Sequence, residues 1–178
     1  MTLFTQVNEF GEIKPDKLYL IIIHADKKPP HLGIIWNQLY FSLTVKGSEV
    51  EIPVEEKLEI LNKRKIPCLL MEIKTPEESN FFLNELTEIF SSYPPLTNKT
   101  SCLEPIAEFF YKILQLKTEA PLLHGMIEAL QKQHLISESF SLHLKLTNNR
   151  TFELPAYNAI EVSERIRRLR LLEINKGS

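Results

Sequence analysis

Pro29-Pro30-His31-Leu32-Gly33-Ile34-Ile35-Trp36-Asn37-Gln38-Leu39-Tyr40-Phe41-Ser42-Leu43 reads as two apolar strands joined by a turn at Asn37-Gln38. So short a connection can join only antiparallel neighbours, because a parallel crossover needs about a dozen residues or more. The same argument holds at Gly47-Ser48, so residues 32–36, 39–46 and 49–53 form an antiparallel meander. In its middle strand Leu39, Phe41, Leu43 and Val45 alternate with Tyr40, Ser42 and Thr44, which gives one apolar and one mixed face. Working outward, residues 17–25 and 67–73 are short, apolar and bounded by turn residues, the pattern of buried strands. Residues 54–65 switch to helical spacing through Val54, Leu58 and Leu61, with Pro53 just before them and Glu55-Glu56 in the first turn. The fold class is α+β: an antiparallel sheet of about five strands covered by helices.

Helical spacing continues over residues 77–91, where Phe81, Phe82, Leu86, Ile89 and Phe90 make a broad apolar stripe after the start signal Thr75-Pro76. Two further helices are expected from near Cys102 to 116 and over 121–135. The C-terminal piece reads as a β-hairpin plus helix: strands over 140–146 and 151–154 around Asn148-Asn149, then a helix over 157–173. The expected organisation is a single domain spanning 1–178, with an N-terminal arm (1–16), a sheet and helix core (17–116) and a hairpin-helix appendage (137–178). Residues 41–53 and 140–155 share a strand, turn, strand, proline order, which leaves duplication and independent recurrence both open.

Composition narrows the function classes. A chain of 178 residues with 43% apolar content can bury one sizeable core. Acidic and basic residues are mixed along it and the net charge is −2, so no nucleic acid partner is expected. No glycine-rich phosphate loop exists among only five glycines. The apolar run from Leu18 to Ile23 is too short to span a bilayer and no leader pattern precedes it, so the expectation is a cytoplasmic protein with no membrane contact. Cys68 and Cys102 show no CxxC pairing, which argues against a disulfide framework or a zinc site. His24, Asp26 and His31 lie close in sequence, but the turn between them carries two lysines and no further ligand, so neither metal nor cofactor is expected. Arg165, Arg167, Arg168 and Arg170 interleave with Glu161, Glu164 and Glu173 at helix-pair spacings, the pattern of a solvated face.

Cys102 stands where chemistry is most readily made. It sits in Thr100-Ser101-Cys102-Leu103-Glu104-Pro105, at the start of an amphipathic helix, where the macrodipole favours thiolate. Ser101 and Glu104 stand in capping-box relation, which puts Cys102 at the first helical position. Alternatively Glu104 is the cap and Pro105 the first helical residue, leaving Cys102 in the loop. Both starts are open. Cys68, inside an apolar strand, is a core residue.

A histidine opening a strand at Pro30-His31-Leu32-Gly33-Ile34-Ile35, a hairpin return, and a later cysteine at Ser101-Cys102-Leu103 together resemble the circularly permuted papain-like thiol hydrolases. That is the NlpC/P60-related group, which includes PPPDE-type and LRAT-like proteins. The resemblance covers about residues 18–116 and implies a cysteine hydrolase or acyltransferase acting on an amide, ester or thioester of a small molecule or peptide. It makes Cys102 the nucleophile and His31 the general base. Ser101 stands where the family commonly has asparagine, and the third, orienting group is open between Ser42 and Glu72. The other reading is a non-catalytic interaction module, with a protein partner on the sheet edge or on the C-terminal hairpin and helix. Cys102 is then a small hydrophobe in helix–sheet packing.

Overall fold

The computed structural model describes residues 2–77, 79–97, 100–117 and 122–176. Glu78 and Pro121, inside the helices read over 77–91 and 121–135, lie outside these residues, as do Met1 of the arm and 177–178 of the C-terminal piece. The chain runs β1 (Thr2–Phe4), β2 (Asn8–Glu9), β3 (Leu18–Ile23), β4 (His31–Trp36), β5 (Leu39–Thr44), β6 (Gly47–Pro53), α1 (Val54–Lys63) and β7 (Cys68–Ile73). It continues through α2 (Phe82–Ser92), α3 (Glu104–Leu114), α4 (Leu123–Lys132), β8 (Ile136–Leu142), β9 (Phe152–Leu154) and α5 (Ala159–Lys176).

The five strands expected between residues 17 and 73 form an antiparallel block, β7-β3-β4-β5-β6. Asn37 and Gln38 both take positive φ, 49° and 61°, the backbone that a tight hairpin turn requires. The next turn falls at Val45-Lys46 rather than Gly47-Ser48. Thr44 accounts for the shift: its Oγ1 donates to the Gly47 carbonyl at 2.8 Å and accepts the Lys46 N–H at 3.2 Å, closing the turn one step early.

Every residue of β3 is buried, so both faces of the sheet must be covered. Leu18, Leu20 and Ile22 join Phe82, Phe109 and Met126 in a core beneath α2, α3 and α4. Tyr19, Ile21 and Ile23 join Val54 and Leu61 of α1 on the opposite face. Aromatic contacts tie the first of these layers together, with Trp36 to Phe82 at 5.1 Å, Phe82 to Phe109 at 5.7 Å and Phe41 to Phe90 at 5.9 Å between ring centroids. Such pairs add about 0.5–1.5 kcal/mol each beyond area burial.

The C-terminal hairpin is corrected. β8 adds to the free edge of β7 in register from Cys68↔Leu142 to Ile73↔Ile136, and β9 pairs with β1 in a separate two-stranded sheet. The bend between them closes on itself, with the Arg150 N–H on the Thr147 carbonyl at 3.0 Å, but its two arms diverge. The physical reason is β7, which is buried at every residue and needs a partner for the peptide groups along its outer edge. The shared order with residues 41–53 therefore does not extend to a shared pairing. The N-terminal arm is also more firmly held than its composition suggests: β2 runs parallel to β8, which makes the seven-stranded sheet mixed, and Phe4 and Val7 are buried.

A chain ending at Leu135 is expected to lose its cooperative thermal transition, because β7 would face water along its whole outer edge. Circular dichroism melting checks this. A truncated chain that melts as sharply as the full chain would show that residues 136–176 form an independent appendage.

Candidate active site

His31 opens β4 at the row where the sheet pairs Ile23 with both His31 and Cys68. Its side chain lies among groups of the mixed face of β5. Nε2 is 3.2 Å from Ser42 Oγ and 3.4 Å from the Tyr40 hydroxyl. Ser42 donates to Glu49 Oε2 at 2.7 Å, across the β5–β6 pair Ser42↔Glu49. Lys57 of α1 reaches both Glu49 oxygens, at 3.0 and 2.9 Å, and lies over the Tyr40 ring at 4.4 Å. Burial pushes the Glu49 carboxyl up, but the Ser42 hydrogen bond and Lys57 outweigh it and hold the group below its ordinary value. Glu49 is thus ionised at neutral pH and takes the hydroxyl proton of Ser42. The Ser42 oxygen is left to accept from His31 Nε2–H, which assigns the neutral tautomer and leaves Nδ1 with the free lone pair.

Gly33 makes this arrangement possible. A Cβ there would lie 2.3 Å from Tyr40 Cε2, and the Tyr40 ring is fully buried, so the ring can pass over residue 33 to His31 only where no side chain exists.

Cys102 lies in a turn just before α3, whose first residue is Glu104. Neither anticipated start holds, since Leu103 is the cap residue and Glu104 the first of the helix, although features of both remain. Glu104 Oε1 accepts the Ser101 N–H at 2.7 Å, half of a capping box, while Pro105 stands in the first turn and the Leu103 carbonyl accepts the Ala107 N–H at 2.8 Å. The backbone of Leu32, the residue after His31, favours the ionised form of the thiol.

The ionisation of the thiol departs from the helix-terminus expectation. Burial pushes Cys102 up to about 11; the Leu32 and Cys102 backbone groups pull the other way, and the Glu104 carboxylate adds to the rise. That carboxylate, folded back over the helix start, opposes the dipole that was expected to favour thiolate. His31 is held down to about 4, first by burial, then by Lys57, with Glu49 opposing. Thiol and imidazole are both neutral at pH 7.

His31 and Cys102 line one cavity of about 290 Å³, walled by apolar residues such as Pro30, Leu32, Leu96 and Leu103, and on one side by Val162 and Ile166 of α5. The hydrogen bonds of the imidazole go to Ser42 and Tyr40 rather than to Cys102. No protein-family model matches this chain, and none of the curated proteins or solved structures compared is similar to it.

Of the two orienting groups suggested by sequence, Ser42 reaches His31. Glu72 pairs with Tyr19 at the far end of β3, where it accepts from Ser137 at 3.0 Å and faces Lys17 at 3.6 Å. Tyr40, Glu49 and Lys57 were not foreseen. Glu49 was missed because a turn at Gly47-Ser48 sets it opposite Lys46, whereas the observed turn at Val45-Lys46 brings it opposite Ser42. Cys68 is buried, and burial raises its thiol to about 12. His124 is held by Thr2 at 2.7 Å and Pro155 at 3.2 Å, and His143 by Asn62 at 3.0 Å. Among the described residues no group of three His, Cys, Asp or Glu is placed to hold a metal ion, and no helix is long and apolar enough to cross a membrane.

Two measurements probe the site. Since His31 binds its proton near pH 4 folded and near 6.5 unfolded, the unfolded chain takes up more protons in between, and stability falls as pH drops through that window. The contribution is on the order of 3 kcal/mol, and urea midpoints at pH 7 and 4.5 should converge in His31→Gln relative to the parent. Gly33→Ala should cost about 1–3 kcal/mol by forcing the Tyr40 ring aside. An unchanged urea midpoint would show that the ring yields freely.

Proposed function

We propose that this chain is a cysteine hydrolase or acyltransferase of the circularly permuted papain-like kind, with Cys102 as nucleophile and His31 as general base. The observation that carries the reading is the common cavity: Cys102, Leu32 and His31 all line it, and His31 is already oriented by Ser42 and Glu49. The imidazole comes to this cavity from the α1 face of the sheet, which it shares with Ile23 and Tyr40, and the thiol from the α3 face. A nucleophile, a base and a third group on the base are the groups that acyl transfer requires.

The reaction starts from the neutral pair. As Cys102 Sγ attacks the carbonyl carbon of an amide, ester or thioester, its proton passes to His31 Nδ1 and the carbonyl oxygen takes up the electron pair. The tetrahedral adduct collapses, the carbon–leaving-group bond breaks, and the imidazolium returns its proton to the departing amine, alcohol or thiol. The acyl group is left as a thioester on Cys102. Water, or an acceptor amine or alcohol in the transferase case, then attacks that thioester with His31 again as base, restoring the thiol. The transient charge on His31 is met through Ser42 by Glu49, so the relay both fixes the tautomer and favours the imidazolium formed in the transition state.

The interaction-module reading has less support, because β9, the outer strand it called on, is three residues long and paired with β1.

The test is hydrolysis of activated ester and thioester substrates. Cys102→Ala should remove all turnover above buffer, and His31→Gln should lower kcat/KM by about 10²-fold or more. Because His31 stays neutral down to about pH 4 and Cys102 stays a thiol up to about 11, kcat/KM should be level between pH 5 and 8. Turnover that survives Cys102→Ala, or an acid limb at the ordinary imidazole value, would overturn the assignment.

A further inference from the structure

The cavity has one wall that the rest of the fold does not require. Val162 and Ile166 of α5 pack with Leu43 and Leu96 against Cys102. Ile166 is the only described residue of this long helix that is buried, and Leu171 and Leu172 are more than half exposed. Beyond this contact the far end of α5 is held by Lys46 to Glu173 at 3.0 Å, a pair whose side chains are 68% and 31% exposed and which therefore adds little. The near end is different. Leu154 is buried, the Tyr157 ring packs on His124 at 5.5 Å, and burial raises the Tyr157 hydroxyl. Directly after this anchor the helix is capped from within: Asn158 Oδ1 accepts the N–H groups of Ile160 and Glu161 at 2.9 and 3.0 Å, and Glu161 accepts the Asn158 N–H at 2.8 Å. Its helical start is therefore satisfied wherever the helix lies.

We infer that α5 is an autoinhibitory helix, hinged at Asn158 and latched by Ile166, which walls one side of the partly open Cys102 cavity and leaves it as a unit to admit substrate. The inference rests on reading Cys102 as the reactive thiol. Opening uncovers the small cluster of Leu43, Leu96 and Ile166 and leaves the main core beneath α2, α3 and α4 covered, so the open form is a local opening that a partner taking up the helix would favour. The main core, with buried residues such as Leu20, Phe82 and Phe109, does not include Ile166, and among the described residues only Tyr93 and Cys102 pack against both it and the Ile166 cluster.

The test follows alkylation of Cys102 by iodoacetamide with peptide mapping, Cys68 serving as internal control in the same chain. Ile166→Glu should raise the Cys102 rate by at least about tenfold and leave the Cys68 rate and the circular dichroism unchanged. Lys46→Glu, at an exposed site that cannot unfold the chain, should raise it about twofold, and Lys46→Glu with Glu173→Lys should return it to the parental value. A Cys102 rate unmoved by both single variants, or one that rises only together with that of Cys68, overturns the latch. The readout is independent of turnover. If α5 variants expose a thiol that hydrolyses nothing, the latch stands and the hydrolase falls, and turnover indifferent to these variants does the reverse.

Discussion

Everything in this fold depends on the burial of β3 on both faces. Six consecutive apolar or aromatic residues, Leu18–Ile23, cannot alternate between core and solvent, so the strand must lie mid-sheet with helices on either side. That one requirement accounts for α1 on one face and α2, α3 and α4 on the other, and it forces both edges of the central strands to find partners. β4 supplies one edge of β3 and β7 the other; β7, equally buried, then recruits β8. The site follows from the same geometry. β4 begins where β3 ends, so the residue that opens it, His31, sits at the rim of the sheet, within reach of the chain that crosses to α3.

The chemistry of that rim is set by desolvation more than by charge. Glu49 and Lys57 form a partly covered ion pair that would contribute little at a surface, yet here it keeps the carboxylate ionised next to Ser42, and Ser42 in turn fixes the His31 tautomer. Lys57 also sits over the Tyr40 ring, so one cation serves both groups flanking the imidazole. Replacing the hydroxyl of Ser42 by a carboxylate would place charge directly on His31 and raise its pKa. The intervening hydroxyl transmits orientation while keeping the imidazole neutral.

The antiparallel block and the order of helices were legible because they rest on local signals: period-two alternation at Leu39–Thr44, tight turns, and apolar stripes such as Phe82, Leu86, Ile89 and Phe90. That helices cover both faces was not, nor was pairing between distant segments. Ile136–Leu142 could join Phe152–Leu154 or Cys68–Ile73, and only the demand of β7 for an edge partner decides between them, a property of the assembled sheet rather than of either segment. At the site, Ser42 could be suggested from its face, whereas Glu49 needed the observed register and Lys57 the packing angle of α1. The thiol was misread for a related reason. Position at a helix start is visible in sequence, but the burial and the Glu104 carboxylate that outweigh the dipole are not.

On the proposed reading, these opposing shifts bear on how an apolar cavity holds Cys102 as an unreactive thiol. Burial is the first cause of both the raised thiol and the depressed imidazole. Water entering the cavity therefore lowers one pKa and raises the other, moving the pair from two neutral groups toward thiolate and imidazolium. Ile166 and Val162 stand against Cys102 on the side where water would enter. In the proposed hydrolase the contact that narrows access to Cys102 also helps to keep the thiol protonated, so a single displacement acts on access and on nucleophilicity together. A raised thiol of this kind reacts slowly in adventitious alkylation and oxidation, since both proceed through the thiolate. Such protection needs no second device, because the wall that shields the sulfur also sets its protonation.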